Sequence, residues 1–222
     1  MPQAFLFDMD GTLVDNMHYH LEAWKKIAAD AGSKKDEKEI YSSVYGKNTE
    51  ILARILDDQN RSEEELKAMV VKKDALYREL YRPHLKLIDG VAEFLEEALQ
   101  SGIKMAIASG STPENIDLVL DGLNIRKYFG AVIGGAQVKK SKPDPSTFTQ
   151  AAEKLGVLSE DCIVFEDVPQ GVEAALNGHM KAVAILTTHP RESFERYPNL
   201  LEVINDYRVV SVGDLLYLSK AS

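Results

Sequence analysis

Four short stretches of the chain concentrate groups able to do chemistry on an anion. Asp8-Met9-Asp10-Gly11-Thr12-Leu13-Val14-Asp15 offers carboxylates two residues apart, Ser109-Gly110-Ser111 offers hydroxyls, Lys142-Pro143 a cation, and Glu166-Asp167 two adjacent carboxylates. Together these types suit phosphoryl transfer. A carboxylate can attack phosphorus and divide one difficult step into two through an aspartyl-phosphate. The attacking anion and the phosphate repel, which calls for a hard divalent cation between them, and Asp and Glu oxygens suit Mg²⁺. A hydroxyl, a lysine and turn amides can hold the phosphate oxygens and neutralise developing charge. A second carboxylate two residues on, pointing to the same side of an extended backbone, can protonate the leaving oxygen and later deprotonate water.

These groups act together only if the fold delivers them to one edge. Short apolar runs at 4–7, 105–108, 131–133, 163–165 and 183–186 read as strands. Helical patterns at 91–100, 112–123, 145–155 and 168–177 alternate with them. Gly102, Gly156 and Gly178 fit helix C-terminal positions that need a left-handed backbone. Such alternation predicts a parallel sheet with helical crossovers, an α/β fold of Rossmann-like type. Ligands of such sheets bind beyond the carboxyl ends of the strands, where the chemical stretches fall. From Asn16 to about Leu85 there is no good strand. Ile51, Leu52, Ile55 and Leu56 share one helical face, and Leu66, Met69, Val70, Leu76, Tyr77 and Leu80 suggest a longer helix. This predicts an α/β core of residues 1–15 and 86–222, with an inserted all-helical cap at 16–85.

The chain has 222 residues, enough for one domain or a core with a modest insertion, and its charges sum to 26 − 35 = −9. That acidic balance argues against a nucleic-acid partner. No apolar run reaches the roughly 18 residues that span a bilayer. The single cysteine, Cys162, excludes an internal disulfide and a CxxC site, and reads as a small buried residue beside a strand. With no export signal, the expectation is a cytoplasmic protein, and a monomer. His18-Tyr19-His20 lacks the further His or Cys that a zinc site needs, and His84, His179 and His189 are scattered without an assigned role.

Asp8-x-Asp10-Gly11-Thr12-Leu13-x-Asp15, Ser109 after an apolar strand, Lys142-Pro143 and Glu166-Asp167, in this order, resemble the haloacid dehalogenase-like (HAD) phosphohydrolase superfamily over nearly the whole chain. The resemblance implies an HAD-like core and residue roles. Asp8 would be the nucleophile and a Mg²⁺ ligand. Asp10 would be the general acid/base, its backbone carbonyl also on the metal. Ser109, with Gly110 in its turn, and Lys142 would bind the transferring phosphoryl group. Asp167 would be the remaining carboxylate ligand, with Glu166 close by or coordinating. Asp15 is expected to order the loop or cap the next helix.

An insertion directly after the first motif is where the beta-phosphoglucomutase-like branch carries its helical cap. The stretch around His20 and Trp24 resembles that branch's first cap helix, Lys73 matches a cap lysine, and Gly46-Lys47-Asn48-Thr49 resembles its substrate-specificity turn. A mutase must also grip a second, distal phosphate. Here the cap turn has no arginine and Ser111-Thr112-Pro113 no lysine, and Lys47 supplies a point charge rather than a bidentate fork. The expected activity is therefore a Mg²⁺-dependent phosphatase acting on a small phosphorylated metabolite. A sugar-phosphate mutase is the alternative. An inorganic pyrophosphatase and a non-enzymatic phospho-metabolite sensor stand behind it, and intact Asp8 and Asp10 count against a sensor.

Overall fold

Parallel strands covered on both faces read as continuous apolar runs, and Ala4–Phe7 (β1) is buried at all four positions. In the computed structural model, which describes residues 1–44, 46, 48–56 and 61–221, β1 is joined by Lys104–Ala108 (β2), Ala131–Ile133 (β3), Cys162–Glu166 (β4), Lys181–Ile185 (β5) and Leu200–Ile204 (β6). They form one sheet of order β3-β2-β1-β4-β5-β6, every pairing parallel. Strand order reverses at β1, so the crevice beyond the carboxyl ends of β1 and β4 is where a ligand is expected.

The chain divides into two compact units, Met1–Asp15 with Lys86–Ser222, and Asn16–Leu85. The second is all helical among its described residues: Met17–Asp30 (α1), Glu37–Ser43 (α2), Asn48–Leu56 (α3) and Glu63–Tyr81 (α4). Two of these helices start at capping boxes, Asp36 with Glu39 and Ser62 with Glu65, each satisfying two otherwise orphaned amides. Trp24, Ile27, Ile40, Ile51, Leu52, Ile55 and Val70 form its apolar core. Asn48 begins α3 rather than continuing a turn, and Lys47 lies outside the described residues. Leu80 is 36% exposed, so the apolar face of α4 ends at Tyr77 and Tyr81.

In the sheet unit, Val91–Gln100 (α5), Pro113–Gly122 (α6), Ser146–Leu155 (α7), Pro169–Asn177 (α8) and Val212–Ala221 (α9) cover the strands. Alternate residues divide the two faces. Ala4, Leu6, Ala106, Ala108, Val164, Ala182 and Ala184 pack with Phe148 of α7 and Val172 of α8, small strand residues admitting the helices closely. Phe5, Phe7 and Phe165 face the other way and meet Phe94 of α5, with Phe7 and Phe165 stacked at 4.6 Å. Cys162 is buried, and burial, then Asp161, pushes its thiol up to about 12.

Three expectations are corrected. Gly178 has φ −88°; the left-handed residue after α8 is His179 at +59°. The Met180 amide reaches back to the Ala175 carbonyl and the His179 amide to Leu176, a Schellman end shifted by one residue. The N-cap of α1 is Asn16, not Asp15, and its side-chain amide donates to the Tyr77 hydroxyl. β6 and α9 were not expected: β6 is half-exposed at Leu200, Leu201 and Val203 and carries Glu202, as an edge strand does.

Candidate active site

Asp8 leaves the end of β1 with its amide held by the Phe165 carbonyl of β4, 3.0 Å away. The loop then turns on itself: the Leu13 amide bonds the Met9 carbonyl, and the Gly11 amide bonds Val14. Gly11 has φ +80°, and a Cβ there would stand 2.2 Å from the Asp167 carboxylate, so only glycine allows both the turn and the contact. Thr12 donates to Asp167 Oδ1 at 3.1 Å, tying the loop after β1 to the loop after β4.

Lys142 Nζ lies 2.5 Å from both Asp8 Oδ1 and Glu166 Oε1, and 3.3 Å from the Ala108 carbonyl at the end of β2. The same ammonium stands over the Phe148 ring, 4.7 Å from its centre. Glu166 is fully buried; its second oxygen accepts the amides of Asp167 and Val168. Gly171 on α8 makes room for it, since a Cβ there would stand 1.9 Å from the Glu166 carboxyl carbon. Ser109 is buried, its hydroxyl accepting the Ser111 amide, and Ser111 donates to Asp10 Oδ2. Gly110 lies against Gly135 of the turn after β3, where a Cβ would meet the Gly110 carbonyl at 2.3 Å.

Burial raises the Asp8 carboxyl from 3.8 to about 7, against the pull of Lys142 and with the charges of Glu166 and Asp10 adding to the rise. Burial, then Glu166 and Asp8, raises Asp167 well above the ordinary carboxylate range. Burial alone would depress Lys142, but Asp8 and Glu166 hold it above its usual value. The Lys142 ammonium thus contacts Asp8 and Glu166 and acts on Asp167, and the Asp10 charge acts on Asp8. The excess negative charge is balanced by bound protons or by a cation.

Among the described residues no group of three or more His, Cys, Asp or Glu side chains is arranged to hold a metal ion. Mg²⁺ is commonly held by only one or two carboxylates and keeps several waters. Asp8 and Asp167, both buried and with the Asp8 charge acting on Asp167, fit that lighter requirement.

In the helical unit, the structure brings His20, Trp24 and Lys73 together, all three buried. Lys73 is 1% exposed, its ammonium 2.8 Å from His20 Nδ1, 3.0 Å from Asp74 Oδ1 and 4.6 Å from the Trp24 ring centre. His20 stacks on Tyr77 at 3.7 Å.

Thr12 and Ser111 stand in the stretches that the sequence singles out but carry no assigned role there, and Gly171, Thr187 and Thr188 lie outside those stretches. A glycine inside a helical pattern is itself a sign of close approach, which Gly171 illustrates. Thr187 and Thr188 follow β5, a strand end with no carboxylate or lysine to mark it.

Comparison with known proteins gives a consistent neighbourhood. The family described as "haloacid dehalogenase-like hydrolase" matches residues 2–179. A phosphorylated carbohydrates phosphatase of Thermotoga maritima is 34% identical over 186 residues, covering 82% of this chain and 83% of the relative. A chloroplastic 5-amino-6-(5-phospho-D-ribitylamino)uracil phosphatase of Arabidopsis thaliana is 30% identical over 187 residues; the match covers 83% of this chain but only 50% of that longer protein. A crystal structure of beta-phosphoglucomutase from Clostridium difficile superposes with a TM-score of 0.87 at 26% identity, covering 100% of this chain and 98% of that one.

Proposed function

We propose, from the premise that the chain belongs to the haloacid dehalogenase-like hydrolases, that it is a Mg²⁺-dependent phosphatase of small phosphorylated metabolites, sugar phosphates foremost. The observation that carries this reading is the meeting of Asp8, Asp167 and Lys142 in one buried site with more carboxylates than cations. Held by Asp8 and Asp167, Mg²⁺ would supply the charge neutralisation that lets an anionic nucleophile approach a phosphate. The Asp10 backbone carbonyl is the proposed third protein oxygen. Glu166 stays out of this set, because one of its oxygens holds Lys142 and the other holds two amides.

Asp8 attacks phosphorus through its carboxylate and forms an aspartyl-phosphate. Lys142, Ser109 and the amides around Gly110 hold the phosphoryl oxygens. Asp10, placed by Ser111, gives its proton to the leaving oxygen and then takes one from water. The helical unit is proposed as the cap that sets specificity, with His20, Trp24 and Lys73 shaping it from within. The mutase alternative is disfavoured by Thr112-Pro113 where a distal phosphate wants a cation.

The deciding experiment is a panel of phosphorylated metabolites with p-nitrophenyl phosphate, inorganic pyrophosphate, and beta-glucose 1-phosphate primed with glucose 1,6-bisphosphate. Mg²⁺-dependent phosphate release is expected to exceed isomerisation. Isomerisation with little phosphate released reassigns the protein as a mutase. EDTA should abolish turnover and Mg²⁺ restore it, and Mg²⁺ alone should raise the melting temperature of the substrate-free protein. Full activity in EDTA, with metal verified absent, contradicts the reading.

Asp10→Asn should slow both formation and breakdown of the phosphoenzyme. The first step should suffer more with an alkyl phosphate than with an activated aryl phosphate, whose leaving group needs no proton. Equal losses with both substrates would remove Asp10 from the acid role.

A further inference from the structure

Two neighbouring hydroxyls just after β5 reach across the carboxylate site. Thr187 Oγ1 donates to the Gly11 carbonyl at 2.5 Å, in the loop after β1. Thr188 Oγ1 lies 2.7 Å from Asp167 Oδ2 and 2.7 Å from the Asp167 carbonyl, in the loop after β4. Because β5 is next to β4 and β4 next to β1, this one segment spans both loops from the edge side. Asp167 is thereby gripped from two directions, by Thr12 on Oδ1 and by Thr188 on Oδ2, with Gly11 pressed against its carboxyl face. Thr188 also meets His189 Nδ1 at 3.0 Å, which restrains the hydroxyl itself.

A carboxylate that binds a metal must hold one orientation, and hydrogen bonds from neighbouring groups commonly impose it. We infer that Thr187 and Thr188 are positioning residues: Thr188 fixes the Asp167 carboxylate for a divalent cation, and Thr187 fixes the Asp8–Asp10 loop at Gly11. The inference rests on the Mg²⁺-dependent reading above.

The test compares Thr188→Val, which keeps the branched shape but removes the hydroxyl, with Thr188→Ser, which keeps the hydroxyl. Mg²⁺ affinity is measured by calorimetric titration of the substrate-free protein, and kcat and KM with p-nitrophenyl phosphate at saturating Mg²⁺. T188V should weaken Mg²⁺ binding by about 10-fold or more, the scale on which such supporting contacts act, and lower kcat while KM stays within about twofold. T188S should lie near the wild type. T188V equal to wild type in Mg²⁺ affinity overturns the inference, as does T188S behaving like T188V. Thr187→Val keeps the idea exposed should T188V fail to fold: it should lower kcat with KM unchanged, and wild-type kcat in T187V overturns it. A wild-type protein that binds no Mg²⁺ overturns both this inference and the reading beneath it, whereas Mg²⁺ binding and phosphatase activity unaffected by T188V overturn the inference alone.

Discussion

Asp8→Asn is expected to lower kcat by about 10³-fold or more, the scale of losing one member of a catalytic unit, while the fold stays intact. Asparagine fills the same space at the end of β1 and leaves the amide bond to Phe165 untouched, but it offers no anion to attack phosphorus. Stability should move the other way. The Asp8 carboxyl is raised from 3.8 to about 7, chiefly by burial. The folded state therefore binds that proton more tightly than the unfolded chain, and metal-free stability falls as pH rises between those two values. Asparagine has no proton to lose. Metal-free D8N should thus melt no lower than wild type at pH 8, with the difference closing toward pH 4, and Mg²⁺ should stabilise it less than wild type. Near-wild-type turnover in D8N would remove Asp8 from the nucleophile's role; a lower melting temperature at pH 8 would mean that the Asp8–Lys142 attraction outweighs the cost of burial.

The central strands were legible because burial on both faces leaves a continuous apolar signature. β1 and β3 were expected with the bounds they have, and β2, β4 and β5 within two residues. The edge was not legible. Leu200–Ile204 is half-exposed and broken by Glu202, so its apolar content resembles that of a loop. The helix end at His179 escaped because the glycine rule points to Gly178, whereas close approach to Pro145 already suits a residue without a side chain there. In the site, Asp8, Asp10, Lys142 and Asp167 announce themselves by charge at strand ends. Thr12, Thr187 and Thr188 do not, because an uncharged hydroxyl at a strand end is indistinguishable in sequence from an ordinary turn residue. What distinguishes them is reach across strand order, from β5 past β4 to β1, and that exists only in three dimensions. Glu166 shows the same limit: its neighbour Asp167 has the same charge, but the extended backbone turns the two carboxylates to different partners, Lys142 for one and Thr12 with Thr188 for the other.

Lys142→Met should reduce kcat by about 10²- to 10³-fold, the usual loss for one preorganised electrostatic donor, and should alter both the pH profile and stability. Methionine keeps an unbranched chain that fills much of the same space, while the ammonium over Phe148 is lost. The charge is what disappears. Asp8 and Glu166 each lose a partner 2.5 Å away, in a site where Lys142 is 14% exposed and Glu166 fully buried. Breaking a buried pair from one side costs about 3–5 kcal/mol, because the remaining charge is left uncompensated. Lys142 pulls the Asp8 carboxyl down, against burial; without it, Asp8 holds its proton to higher pH. The acid limb of kcat/KM should therefore move upward, and the stability deficit should be largest above pH 7 and shrink toward acid as Asp8 takes up its proton. Lys142→Arg separates charge from geometry. It restores a cation, so stability and the pH limb should recover in part, but a planar fork cannot replace a point donor equidistant from two carboxylates, so kcat should stay low. An acid limb at the wild-type position in K142M, with kcat within a few-fold, would show that Lys142 neither tunes the nucleophile nor holds the phosphoryl group.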